Sequence, residues 1–256
     1  MAITIDTNLR QVVIEEGGAS RTLAFDSPEA FEILSSLWMR CAWETKYLYT
    51  FTWFGRPIIQ LPDDMFRVQE VLYRLRPDVV IETGIAHGGS LVYYASIFEA
   101  MGHGRVIGVD VEIRPHNRAA LEAHELKKRI ELIEGDSVAA PTLDKVRALM
   151  RAGETAIVFL DSNHTRKHVL AELEAYASFV SPGSYIVATD GIMRDVADSP
   201  RAGHGWLHDN PYEAARDFLA THPEFTEGQP PWAFDESAGL RSGVTQWPGA
   251  WLQRIG

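Results

Sequence analysis

The chain has 256 residues, 46% of them hydrophobic, a formal charge of −11 and one cysteine. That length suits one large α/β domain with additions and is enough to bury a sizeable core. The negative balance argues against nucleic acid or an anionic membrane surface as partner. A lone Cys41 excludes an internal disulfide framework or a cysteine zinc cluster, and fits a reducing cytosol. Residues 1–15 lack the basic stretch and apolar run of a secretory signal. No segment reaches the roughly 20 apolar residues of a membrane helix. The expectation is a cytoplasmic enzyme or binding domain.

Residues 1–25 alternate weakly and predict short strands. Ser27-Pro28-Glu29 supplies an N-cap, a first-turn proline and an early acid, a helix start. Phe31, Leu34, Trp38, Cys41 and Leu48 follow at helical spacings and predict one apolar face. Aromatic residues crowd residues 43–54, which reads as packing within a helical cap, or alternatively as a wall of the substrate pocket. The cap is expected over residues 1–60 and the main domain over 61–256.

From residue 79 the pattern alternates. Strands are expected at 79–82, 105–110, 130–133, 156–160 and 185–188, with helices from Ser90 and over 141–151 and 166–179. Short apolar strands alternating with amphipathic helices mean a parallel sheet covered on both faces. Residues 192–210, with His204, Trp206, His208 and Asp209, read as a mobile lid over the acceptor site. Asn210-Pro211 starts a helix reaching about His222. Late β-prone stretches near Phe225 and over 244–255 predict an antiparallel edge. The fold class is α/β, a doubly wound sheet with its ligand at the carboxyl ends of the strands.

Those ends carry the informative residues. The first strand runs into Glu82-Thr83-Gly84-Ile85-Ala86-His87-Gly88-Gly89-Ser90. Glycines let the backbone approach a ligand, and the helix that follows offers free N–H groups. The run matches neither a P-loop nor G-x-G-x-x-G, which disfavours a nucleotide-dependent oxidoreductase. An acid here suits a cationic ligand centre. Asp110, ending the second strand, is placed to accept ribose hydroxyls. Asp136 and Ser137, after the third, are placed to meet a base edge. A nucleoside with a cationic arm fits this set, and S-adenosylmethionine has that combination.

The fourth strand ends Asp161-Ser162-Asn163-His164 and the fifth Thr189-Asp190-Gly191. Asp161 and Asp190 converge across the cleft and can hold a hard divalent cation such as Mg²⁺. Such a cation lowers the pKa of a substrate hydroxyl. His164 is within reach to take that proton as general base. His168, at i+4, reads as a supporting or surface residue rather than a ligand.

The residues resemble the cephalosporin hydroxylase family of S-adenosylmethionine-dependent methyltransferases, which includes proteins named for rhamnosyl O-methylation. The resemblance runs from Trp53 to the C-terminus through Trp53-Phe54-Gly55, Gln60-Leu61-Pro62-Asp63-Asp64, the Glu82–Ser90 run, Gly108-Val109-Asp110, Leu160–His164 and Trp247-Pro248-Gly249-Ala250-Trp251-Leu252. It implies a Rossmann-like methyltransferase sheet, a helical N-terminal cap and a homo-oligomer. It carries donor binding onto Glu82, Gly84, His87, Gly88, Ser90, Asp110 and Asp136, with Asp161 at the donor's edge, and a metal onto Asp161 and Asp190. Metal-dependent relatives often carry two adjacent oxygen ligands on the fifth strand. Here Thr189 precedes Asp190 and Gly191 follows, leaving one clear ligand, with water or substrate to complete the shell. In catechol-type relatives a basic residue three after the first metal-binding acid accepts the proton, the place of His164. The expected activity is O-methylation of a small hydroxylated natural product, most of all a sugar. A β-lactam-modifying enzyme and a non-catalytic nucleoside-binding subunit are the alternatives, and a pure binder has no need of Asp161, His164 and Asp190 together.

Overall fold

A computed structural model describes residues 2–256. The chain opens with a three-stranded antiparallel sheet: β1 (Ala2–Asp6), β2 (Gln11–Glu16) and β3 (Ala19–Ala24). Val12 and Ile14, alternate residues of β2, are buried against Ala30 of helix α1 (Pro28–Glu44), the period-two burial of a one-sided sheet. Ser27 caps α1, accepting from the Ala30 N–H at 3.2 Å, and Pro28 opens its first turn.

The buried face of α1 is the expected one only in part: Leu34 packs on the β2 cluster and Leu48, just beyond the helix, is buried. Ala30, Met39 and Ala42 are buried, while Phe31, Trp38 and Cys41 are exposed. Two small alanines let the helix lie close to its support, and the large side chains take the outer face. Trp38 instead packs edge-on against Tyr47 at 5.6 Å. The aromatic stretch beyond is not helical cap throughout. It forms a short 3₁₀ turn at Tyr47–Thr50 and a hairpin of β4 (Phe51–Trp53) and β5 (Arg56–Ile58). Helix α2 (Pro62–Leu75) follows, its buried residues Asp64, Met65, Val68, Val71 and Leu72 recurring at helical spacing.

The main sheet has seven strands. Its first half is β6 (Val79–Thr83), α3 (Gly89–Met101), β7 (Arg105–Asp110), α4 (Pro115–Glu122) and β8 (Ile130–Glu134). Its second half is α5 (Ala140–Leu149), β9 (Ala156–Leu160), α6 (Arg166–Tyr176), β10 (Tyr185–Ala188), α7 (Pro211–Thr221), β11 (Phe225–Glu227) and β12 (Trp251–Arg254). Spatial order is β11-β12-β10-β9-β6-β7-β8, with β6 to β10 mutually parallel. The antiparallel strand is β12, which lies between β10 and β11 instead of at the edge. Its residues explain that: Trp251 joins the core on one face of the sheet and Leu252 the core on the other. A strand buried on both faces belongs inside. The same alternation runs through β6, with Val80 facing one core and Val79 and Ile81 the other.

Strand order reverses between β6 and β9, so a crevice opens at their carboxyl ends. The segment expected to be a mobile lid is packed along α1. Ile192, Met193 and Val196 are buried, Arg40 donates to the Asp195 carbonyl at 2.6 Å, Arg201 to the Trp43 carbonyl, and Trp206 meets Trp43 edge-on. Among the described residues no helix is long and apolar enough to cross a membrane.

Candidate active site

The turn between β6 and α3 is built around atoms a larger residue would displace. Gly84 has φ +87°, and a Cβ there would lie 2.0 Å from the Asp161 carbonyl oxygen. Only glycine fits between the two strand ends. Gly88, at φ +80°, caps α3 and packs on Leu121. Asp110 anchors the same turn: one oxygen accepts from the Ile85 and Ala86 N–H groups at 2.7 and 3.3 Å, the other from Glu112 N–H at 3.1 Å. A carboxylate offers about four lone-pair sites, so Asp110 keeps capacity for a ribose hydroxyl while holding the loop.

Sequence reasoning missed the outer struts of this turn. Arg56 on β5 donates to the His87 carbonyl at 3.0 and 2.6 Å and to Asn117 Oδ1 at 2.8 Å, and Asn117 on α4 donates to the Ala86 carbonyl at 2.8 Å. Neither residue stands in a motif; both reach the turn only through the fold.

Glu82 lies behind the turn rather than on a cavity wall. It is buried and accepts from Ser90 Oγ at 2.7 Å and Tyr94 OH at 3.1 Å. Burial, then the charge of Asp161, raises its pKa well above the usual range. Glu82 therefore orients Ser90, which does border a cavity.

Two cavities flank Gly84 and Ser162, which line both. One, of about 430 Å³, opens over β7 and β8 beside Asp110, Asp136, Ser137, Asn163 and His168. The other, of about 220 Å³, is bordered by Gln60, His87, Ser90, Asp161, His164 and Asp190. Tyr49 also lines the second cavity, while Trp53 turns inward, donating to Ser96 Oγ at 3.0 Å and packing on Tyr93. The aromatic stretch is thus divided, Tyr49 facing a cavity and Trp53 packing on α3. No residue of 192–210 borders either cavity.

At the first cavity, His168 Nε2 lies 3.3 Å from Ser137 Oγ and 3.4 Å from Glu172 Oε1. Glu172, fully buried on α6, also accepts from Ser162 Oγ at 2.7 Å. Its hydrogen bond holds the His168 pKa above the ordinary value. The supporting role expected of His168 matches this placement. Nothing in the sequence singled out Glu172, whose signal is only its burial.

At the second cavity Asp161, His164 and Asp190 converge, with one ligating atom from each within 4.8 Å of the others. His164 Nε2 lies 3.4 Å from Asp190 Oδ2. Asp190 takes a left-handed φ of +59°, uncommon for a residue with a side chain and a form of strain that clusters at functional sites. Asp161 is held from both sides: Thr189 Oγ1 donates to Oδ1 at 2.6 Å and Gln60 Nε2 to Oδ2 at 3.1 Å. Burial and the negative charge of Asp190 raise the Asp161 pKa to about 7. The two carboxylates crowded so closely form an oxygen donor pair that fits a hard divalent cation, with the imidazole beside them.

A sheet of this order with a glycine turn, an acid after the second strand and a crevice at the reversal point is a Rossmann-like nucleoside-binding architecture. The comparisons agree. The family model Rhamnosyl O-methyltransferase/CmcI matches residues 45–255, and the chain belongs to that family. A rhamnosyl O-methyltransferase of Mycobacterium leprae is 31% identical over 176 residues, 68% of this chain and 72% of the relative. One from Mycobacterium bovis is 31% identical over 166 residues, covering 64% of each chain. A solved structure of CmcI with Mg and SAM shares the fold, with TM-score 0.55 and 18% identity over 81% of this chain and 78% of that one.

Proposed function

We propose that the protein transfers a methyl group from S-adenosylmethionine to a hydroxyl of a small acceptor, a rhamnosyl-type sugar, with Mg²⁺ at Asp161 and Asp190. The convergence of Asp161, His164 and Asp190 in a cavity that meets the nucleoside-side cavity at Gly84 and Ser162 carries this reading. Asp110 accepts a ribose hydroxyl, and Asp136 and Ser137 receive the adenine edge. Gly84 lets the donor's methionine arm lie against bare backbone, with Ser90 and His87 on the side of the acceptor. Bound Mg²⁺ would supply Lewis acidity toward the acceptor hydroxyl. His164 takes the hydroxyl proton at Nε2, and Asp190, 3.4 Å away, stabilises the imidazolium that results. The walls exclude water and align acceptor oxygen with methyl carbon, which lowers the barrier by orientation.

The names of the relatives favour a sugar over a β-lactam acceptor. The unpaired Cys41 fits a cytoplasmic protein, and the exposed Phe31 and Trp38 on α1 offer a face for a homo-oligomer. The test is incubation with labelled donor and a panel of rhamnosides and other glycosides beside a cephalosporin, with and without chelator. Label on a sugar oxygen, lost with chelator, is the expected result. Label on the β-lactam alone, or undiminished transfer in excess chelator, refutes the acceptor or the metal respectively.

A further inference from the structure

Asp161 and Asp190 come from different strands, and a third segment, remote from both in sequence, touches the support of each. Gln246 Nε2 donates to Gln60 Oε1 at 2.9 Å, and Gln60 Nε2 donates in turn to Asp161 Oδ2 at 3.1 Å. The carbonyl of the same Gln246 accepts from the Ile192 N–H at 3.1 Å, two residues beyond Asp190. Between them Gly191 packs so closely on this segment that a Cβ would lie 2.5 Å from the Pro248 carbonyl oxygen. Residues 245–246 are themselves held by Asp64 in the first turn of α2, which accepts from Thr245 Oγ1 and, at 2.9 Å, from the Gln246 N–H. Gln60, Asp64 and Gln246 are all buried.

We propose that Gln246 and Gln60 are positioning residues for the cation site, fixing Asp161 through the side-chain relay and Asp190 through the main chain at Ile192. This rests on the reading of Asp161 and Asp190 as cation ligands. The relay has a defined direction. The Gln60 oxygen is taken by Gln246, so its amide nitrogen must face Asp161, where a carboxylate accepts it. With Thr189 on the other oxygen, Asp161 cannot rotate without losing a bond. Asp190, in a left-handed conformation, needs such outside support to keep its orientation. A buried amide pair is not required for stability, since apolar side chains of similar shape can replace both partners at little loss. What leucines cannot do is present a donor to Asp161.

The experiment compares the full-length chain with Gln60→Leu, Gln246→Leu and the double variant. Mn²⁺ serves as a paramagnetic probe of the cation site, titrated by electron paramagnetic resonance. S-adenosylhomocysteine affinity is measured by calorimetry, and thermal unfolding is followed without metal. Partners behind metal ligands typically contribute about 10–100-fold in metal affinity. Each single variant is expected to bind Mn²⁺ within that range more weakly with nucleoside affinity near the parent, and to melt somewhat lower without metal because its partner amide is left buried and unpaired, a loss the double variant largely recovers. The double variant is expected to be no weaker than the worse single, because both residues act through Asp161. Parental Mn²⁺ affinity in Gln60→Leu overturns the relay and leaves the cation site standing. Equal losses of Mn²⁺ and nucleoside affinity overturn it as general collapse of the site. A parent that binds no stoichiometric Mn²⁺ overturns the cation reading and the relay with it. Should the leucine variants not fold, Gln60→Met keeps length and apolar volume without the amide and is read in the same way.

Discussion

Gly84→Ala tests whether the crevice is built on contact between β6 and β9. A Cβ at this position would stand 2.0 Å from the Asp161 carbonyl oxygen, 2.5 Å from its carbon and 2.8 Å from Ser162 Cα. Such contacts essentially never fall below 3.0 Å, so the strand ends must part by at least 1.0 Å. All three atoms struck are backbone, and no side-chain rotation relieves them. The left-handed φ of +87° adds a further penalty of about 1–2 kcal/mol for any residue with a Cβ. For a domain of this size each kcal/mol lowers Tm by about 2–4 °C, so the strain alone predicts a fall of about 2–8 °C. The displaced backbone is that of Asp161, and misplacing a reacting group by about 1 Å costs roughly 10²-fold in rate. Calorimetric melting and methyl transfer followed by mass spectrometry measure the two effects. A variant with parental Tm and parental kcat would refute the close approach of the strands and the dependence of catalysis on it.

Three further outcomes follow from individual contacts. Asp110→Ala removes the anchor of the turn and an acceptor for the ribose, and is expected to weaken nucleoside binding by about 1–3 kcal/mol in calorimetry; parental affinity would exclude Asp110 from that site. His164→Ala is expected to lower turnover about 10²–10⁴-fold, the usual range for a lost general base, with partial recovery as pH rises and the acceptor ionises; a parental rate and pH profile would remove the role. Burial raises the Asp64 pKa from 3.8 to about 7, so the folded chain binds more protons than the unfolded chain between those values. Stability therefore falls as pH rises through that window, by up to about 1.4 kcal/mol per pH unit. Asp64→Asn should flatten the slope between pH 5 and 7 in urea unfolding of chelated protein, and an unchanged slope would exonerate Asp64.

The parts of the fold legible in the sequence are those where local pattern and tertiary role coincide. The strand at 105–110 is apolar for most of its length because both its faces are covered, and it occupies the expected residues. Ser27 and Asn210 announce α1 and α7 because a cap is a local hydrogen bond. The reading of α1's face failed in part because size stood in for burial: a helix that packs closely buries Ala30 and Ala42 and leaves Trp38 outside. Segment 192–210 looks like a lid in composition, yet its few apolar residues, Ile192, Val196 and Trp206, suffice to dock it on α1. In the site, the acids at strand ends were visible because topology alone brings strand ends together. Arg56, Asn117 and Gln246 were not, since each acts on a partner far away in sequence without a periodic or motif signal; Gln60 stands in a quoted motif but its bond to Asp161 does not show there, and Glu172 gives no sign in the sequence that it is buried.

Charge explains why so many neutral donors surround these acids. Glu82, Asp161 and Glu172 lie near one another beneath the crevice, and Asp161 is raised both by burial and by Asp190. Another carboxylate directly after β10 would add a like charge where water is already excluded, and like charges in one site oppose ionisation. Thr189 stands at that place and contributes a hydroxyl to Asp161 at 2.6 Å. Ser90 and Tyr94 do the same for Glu82, Ser162 for Glu172, and Gln60 for Asp161. Each is a neutral group donating to an acid, so the acids are oriented without an internal countercharge, and burial favours the protonated forms of Glu82 and Asp161 until a cation arrives. Arginine in those positions would have filled the negative potential, yet Arg56, which reaches the turn at this end of the sheet, bonds to the His87 carbonyl and to Asn117. No internal cation competes for these acids, and the two species proposed to enter the crevice, a sulfonium and a divalent cation, are both positive and would favour their ionised forms.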